Sequence, residues 1–443
     1  TLRSAVGDPD SCTINCENVG RGFYFHSGED STTVVNGITI TNGNTSGFED
    51  RGAGVYCDGS SPKFTNMVVS NGVSFYGGGM SCINGSAPVF DHVVFSGNYS
   101  SHSSGGLQLA ASGVLRYVDF LNNESDSYGG AMEMGSDGSA ILRHCNFIGN
   151  DGEWGGAIAC NSTATPTLID CTIKDNVSPR GAGIYTRVSS APTLERVTLC
   201  SNTATQRGGA IYATATSSPT LTEVTLANNT APVGGGTIYV DTNASATINN
   251  TIIAYNTGEP LFCGSGGSPT TTHSCVYGNT VTDSLCGTRL DNTFVPPEFC
   301  DLGACDLSVE SDSPCLAGNN GWGEQVGAHG SGCSDRTTWY VDAGNTSGIE
   351  DGSIGFPFDT LAEGIAASGE GNTILVAEGT YSGTGNYDLD FGGTNRTLQS
   401  IGGAEVTIID CEGLGRALHF HTGEDSTSVI EGFTIRNGDM QYG

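Results

Sequence analysis

The chain has 443 residues, with 47 Asp and Glu against 16 Lys and Arg, for a formal net charge of −31. Such a charge repels phosphate backbones and anionic membranes and so argues against nucleic acid and membrane-surface partners. No apolar run reaches the roughly 18 residues of a spanning helix, so no membrane insertion is expected of this segment.

The opening, TLRSAVGDPD, has neither an initiator Met nor an apolar signal core, so the chain reads as a mature product or an excerpt. Sixteen cysteines without a paired CxxC spacing point to an oxidising, extracellular or cell-surface setting rather than to a zinc site.

From residue 52 onward a unit of about 26 residues recurs, as in GGAIACNSTATPTLIDCTIKDN and GGAIYATATSSPTLTEVTLANN. Four apolar columns align across the units. Ile158, Ile184 and Ile211 represent the first, and Leu168, Leu194 and Leu221 the second. Cys145, Cys171 and Val197 represent the third, and Phe147, Ile173 and Leu199 the fourth. Columns three and four are one polar residue apart, which is strand alternation with one face buried. Apolar runs this short, punctuated by Gly, Ser, Asn and Pro, do not fit a helical solenoid. The expected fold is all-β, a parallel β-helix with coils stacked about 4.8 Å apart.

Three residues after the fourth column stands an asparagine in seven successive units: Asn98, Asn123, Asn150, Asn176, Asn202, Asn229 and Asn256. A stacked amide can bond the equivalent backbone one coil away, so these residues read as a structural ladder. The GG pairs beginning at 129, 155 and 208 read as tight turns, since no Lys-Ser/Thr follows to make a phosphate loop.

GGAI at 155–158 and 208–211, with FSGN, FLNN and FIGN at 95–98, 120–123 and 147–150, resembles the repeats of the polymorphic outer membrane proteins, which are surface adhesins. The resemblance covers roughly 16–256 and implies a β-helix. Residues 292–333 resemble the closing segment, and 337–383 the opening, of secreted right-handed β-helix domains. Function does not travel with such a fold.

From Cys16, CENVGRGFYFHSGEDSTTVVNGITITNG matches CEGLGRALHFHTGEDSTSVIEGFTIRNG from Cys411 at 17 of 28 positions. This duplication organises the chain into coils over 1–256, an irregular Cys-rich closing segment over 257–333, a cap over 334–396 and the first coils of a second domain over 397–443. A short capping helix is expected within 358–368, with Asp359 as its cap and Leu361, Ile365 and Ala366 on its buried side.

Cys57 with Cys82, and Cys145 with Cys171, occupy the same columns in consecutive coils and are expected to form disulfides. Cys263, Cys275, Cys286, Cys300, Cys305, Cys315 and Cys333 are expected to staple the closing segment in pairings the sequence leaves open. Sequons place glycan acceptors at Asn44, Asn84, Asn161, Asn228, Asn243, Asn249, Asn345 and Asn395. FEDRG (48–52) and IEDGS (349–353) are the stretches where Ca²⁺ would bind, though such loops are common turns.

An outward ladder, His92, Tyr117, His144, Asp170, Arg196 and Glu223, flanked by Asp91, Arg116, Arg143 and Glu195, is the best place to look for catalysis. Arg196 between Asp170 and Glu223 favours a salt-bridge ladder instead. The sequence therefore assigns no catalytic, cofactor or metal residue. The leading expectation is an extracellular structural protein without enzymatic activity. In it, tandem β-helices form a surface fibre, stalk or sheath by self-association or covalent continuation. The alternatives are an adhesin that binds glycans and a polysaccharide lyase or glycoside hydrolase.

Overall fold

The computed structural model describes residues 1–439 apart from 46, 48, 49, 136, 137, 334, 335, 347–349 and 422. These form two compact units, Thr1–Pro297 with Pro314–Gly330, and Glu298–Ser313 with the chain from Ser331 onward.

The first unit is a right-handed parallel β-helix of about 26 residues per coil. Three parallel sheets run its length. One has ten strands, from Phe23–Phe25 to Leu261–Cys263; another has seven, from Asn44–Thr45 to Thr203–Arg207; the longest collects two strand segments per coil. Register is vertical: Leu168 pairs with Leu194 and Leu194 with Leu221, all three fully buried. Inside, Phe95, Phe120 and Phe147 stack at 5.0 and 4.7 Å between ring centroids.

In the long sheet the chain turns a corner at a single left-handed residue per coil. His92, Tyr117, His144, Asp170, Arg196 and Glu223 all have φ between 51° and 55°. Gly129, Gly155 and Gly208 also have positive φ, and a Cβ on any of them would meet a carbonyl oxygen at 2.5 Å or less. A bare backbone is what those turns require.

The asparagine column is buried and continuous. Each side-chain amide donates to the next asparagine's Oδ1, at 2.9 Å from Asn98 to Asn123 and 3.0 Å from Asn150 to Asn176. The same acceptor also takes the preceding asparagine's backbone N–H, as Asn176 Oδ1 does from Asn150 at 2.9 Å. The column runs on to Asn279, and strand pairing continues as far as Thr288–Leu290. The coils thus pass the sequence-based limit of 256, because Thr271, Cys275 and Val276 still supply inward residues after the repeat has lost its motif.

In the second unit, Thr338–Val341, Thr373–Val376, Thr397–Ser400 and Val429–Glu431 pair in parallel, and the helix spans Leu361–Ala367. Its cap is Thr360, not Asp359, since Thr360 and Glu363 close a reciprocal capping box. Gly364, not Ala366, joins Leu361 and Ile365 in the core. A Cβ at Gly364 would meet Val341 Cγ2 at 2.7 Å, so the helix lies close on that strand.

The expected bridges at Cys57–Cys82 and Cys145–Cys171 do not form: all four residues are buried free thiols. Cys57 and Cys82 are direct register partners. Side chains on in-register parallel strands project side by side at the strand spacing of about 4.8 Å, whereas a disulfide draws Cβ atoms to about 3.8 Å. The bridges at Cys263–Cys286 and Cys300–Cys333 lie instead in the closing segment, where the repeat has dissolved. Cys275 and Cys315 are buried side by side as thiols, so they do not staple that segment.

Candidate functional site

Alternation along the ten-stranded sheet sends Met80, Leu107, Met132 and Ile158 inward, and their successors Ser81, Gln108, Glu133 and Ala159 outward. The outward row continues with Tyr185, Tyr212, Tyr239 and Phe262, one residue per coil. Segments entering the sheet from the seven-stranded side fold over this row, so its tyrosines are largely covered.

Glu133 is the one acidic residue of the row. Asn161 Nδ2 donates to its Oε1 at 2.8 Å, and the Ser103 hydroxyl donates to its other oxygen. Burial pushes its carboxyl pKa up, against the opposing pull of Ser103, Asn161 and the nearby His102. A carboxyl that keeps its proton above the usual range, and still has some exposure, is suited to giving and retaking a proton.

Two arginines approach from opposite directions along the axis. Arg51 reaches two coils forward and donates to Gln108 Oε1 at 2.9 Å, an oxygen that also accepts from Ser81 at 2.7 Å. Arg187 reaches two coils back to the Tyr128 hydroxyl at 2.9 Å. Their guanidiniums lie 4.1 Å from the Tyr76 ring centroid and 5.2 Å from that of Tyr128. Further along, Arg180 lies over Trp154 at 4.1 Å, and Arg207 lies over Tyr239 at 5.0 Å while contacting Asp241 at 3.2 Å. Two buried polar atoms have no hydrogen-bond partner, Oδ1 of Asn161, whose amide bonds Glu133, and Nε of Arg187, whose guanidinium lies by Tyr128. The result is a lengthwise row of arginines and aromatics with one carboxyl of raised pKa in it.

A family model described as a right handed beta helix region matches residues 48–231 and 178–296, more than half of the chain. The chain belongs to the right-handed β-helix family. No curated protein matches it. Among solved structures, a PL6 family alginate lyase, AlyGC, is similar at 13% identity and a TM-score of 0.30, over 94% of this chain and 68% of that one. This finding corrects the expectation of a chain without enzymatic activity: a β-helix neighbour is itself a polysaccharide lyase. At this identity the likeness concerns the fold alone, and no activity passes to this family member by similarity.

The ladder considered from sequence is present but divides in two. Arg196 Nε donates to Asp170 at 2.7 Å and also binds Glu195, and this pairing holds the Asp170 carboxyl below its usual range. That half is an ion-pair network, the opposite of an acid kept protonated for catalysis. Asn161, expected to carry a glycan, is buried with its amide committed to Glu133, which corrects that assignment. Asn84 and Asn243 stand exposed at left-handed turns. The amides of Asn228, Asn345 and Asn395 bond Ser201, the Pro357 carbonyl and Glu370. Asn249 accepts from Thr272, and Asn44 pairs through its backbone with Gly20.

Of the acidic stretches, Phe48, Glu49 and Ile349 lie outside the described residues. Glu350, from the second stretch, comes together with Asp359 and Glu363, with oxygens within 4.8 Å of one another. Burial and the two neighbouring carboxyls push Glu350 up to about 7. These three residues could hold a hard cation such as Ca²⁺.

Glu133 escaped the sequence reading. Its signal was the MEM of 132–134, an acid between two inward methionines where every other coil carries an uncharged residue.

Proposed function

We propose that the chain is an extracellular polysaccharide lyase that cleaves a uronate-containing polymer at the partly exposed Glu133 of the ten-stranded sheet. One observation carries this: on a chain of net charge −31, a carboxyl with a raised pKa lies in a row that Arg51 reaches at Gln108 from one direction and Arg187 reaches at Tyr128 from the other. A uronate carboxylate pairs with Arg51 or Arg187, and neutralising it makes the C5 proton acidic. His102 takes that proton, the C5–H electron pair becomes the C4=C5 double bond, the C4–O bond breaks, and Glu133 gives its proton to the leaving oxygen. Elimination suits the site better than hydrolysis, because the side chain available beside Glu133 as a base is His102 and not a second carboxylate. The cysteine-rich composition and the Cys263–Cys286 and Cys300–Cys333 bridges support an extracellular setting.

The test is incubation with alginate and with polygalacturonate, following the ultraviolet absorbance of new conjugated double bonds. Wild-type chain should produce them, and Glu133→Gln should lower the rate by about 100-fold or more. New reducing ends without double bonds would replace elimination by hydrolysis. Binding without cleavage of either kind would leave the adhesin reading, for which the GGAI and FxxN resemblance speaks.

A second reading, a tandem array of such units in a surface fibre or stalk, is favoured by the duplicated stretch. Leu2–Arg3 pairs with Val34–Asn36 as Thr397–Ser400 pairs with Val429–Glu431. Thr13–Asn15 pairs with Thr39–Thr41 as Thr407–Asp410 pairs with Thr434–Arg436. Electron microscopy of the native material would distinguish filaments from single particles. Glycans at Asn84 and Asn243 belong to the same extracellular proposal and would appear as a mass shift removed by deglycosylation.

A further inference from the structure

The corner column of the long sheet changes character along its length. Arg196 pairs with both Asp170 and Glu195, but one and two coils before Asp170 the residues Arg143 and Arg116 face each other as direct register partners. Both are exposed, and no ion pair to either exists among the described residues. Like charges opposite one another on neighbouring strands destabilise a sheet unless something else neutralises them. Beside them His92, Tyr117 and His144 form an exposed ring stack, with centroids 4.8 and 5.1 Å apart and planes within 24° and 11°. The two arginines stand between two acids, Asp91 in register with Arg116 and Asp170 acted on by Arg143, but each acid is engaged by another side chain, Asp91 by His92 at 2.8 Å and Asp170 by Arg196 at 2.7 Å.

We propose that Arg116 and Arg143, with His92, Tyr117 and His144, form an auxiliary binding strip for a polyanionic polysaccharide, apart from the Glu133 row though borne on the same coils. The two arginines follow one another along the stacking direction, which fits an extended strand of carboxylates better than a single small anion. Guanidinium forks bind carboxylates bidentately, and the aromatic stack keeps the strip flat and stiff. A long polymer captured here is held at high effective concentration near the row that cuts it. The assignment of a uronate polymer rests on the reaction proposed above.

The experiment compares wild type, Glu133→Gln and the double variant Arg116→Ala with Arg143→Ala on immobilised polygalacturonate and alginate, eluting with salt. The double variant should elute at clearly lower salt, while Glu133→Gln should be retained as wild type. On soluble polymer the double variant should raise KM about threefold or more with kcat unchanged, and turnover of short oligouronates should not change. Retention of the double variant equal to wild type overturns the strip. So does equal capture of single-stranded RNA, which would make the site a general polyanion trap. If wild type is retained through these arginines but cleaves nothing, the strip stands and the lyase reading fails.

Discussion

The buried asparagine amide is the smallest part on which the coils depend. Asn150 Nδ2 donates to Asn176 Oδ1 and to the Phe120 carbonyl at 3.0 Å each, and its own Oδ1 accepts from Asn123. Removing the side chain leaves buried donors and acceptors on both adjoining coils without partners. Asn150→Ala should therefore cost about 1–3 kcal/mol in urea unfolding. Asn66→Ala, exposed at a left-handed corner that Asn tolerates better than Ala, should cost less than Asn150→Ala, about 1 kcal/mol. The ladder was legible from spacing alone because a polar residue recurring in an apolar repeat must be bonded somewhere. Glu133 was not legible, because it appears once and its burial comes from segments distant in sequence.

At the scale of elements, stacking identical residues makes one aromatic column a shared support for several strands. Phe120 packs between Phe95 and Phe147 with planes 9° and 5° from parallel. Phe120→Ala should destabilise the first unit by about 3–5 kcal/mol, and Phe120→Leu by less than about 1.5 kcal/mol, in the same urea titration. The helix shows a limit of reading elements from sequence. Its apolar spacing fixed its place within 358–368, but whether Asp359 or Thr360 caps it depended on which side chain could reach the third helical N–H while Glu363 reached back. Thr360→Ala should lower local stability by about 0.5–2 kcal/mol, read by hydrogen exchange over 361–367.

At the scale of the molecule, the two units meet acid and base differently. In the second unit, burial and the neighbouring Glu310 push Glu298 up to about 7, with Arg336 opposing and Asp312 and Asp351 adding to the rise. The folded unit therefore binds this proton more tightly than the unfolded chain. The associated stability is fully present below about pH 4.5 and is lost as pH rises through about 7. Glu298→Gln should stabilise the second unit by about 1–2 kcal/mol at pH 8 and leave it unchanged at pH 4, measured by hydrogen exchange over 338–341. In the first unit the Cys263–Cys286 bridge spans a sequence separation of 23. Replacing both cysteines with Ser should cost about 2–3 kcal/mol and loosen the coils over 261–290 first.

The sequence by itself determined the coil: its period, its inward columns, its asparagine column and the parallel β-helix class. Each of these is a local pattern repeated in register, and stacking turns repetition in sequence into vertical alignment in space. Only the tertiary structure decided which outward residues would leave solvent. Ser103 and Asn161 come from neighbouring coils to bond Glu133, while Arg51 and Arg187 cross two coils to reach Gln108 and Tyr128, and no periodicity predicts the path of such a side chain. The thiols followed the same rule. The sequence placed Cys57 beside Cys82, but the parallel projection of side chains on adjacent strands kept them apart, while the aperiodic closing segment was free to bring Cys263 to Cys286.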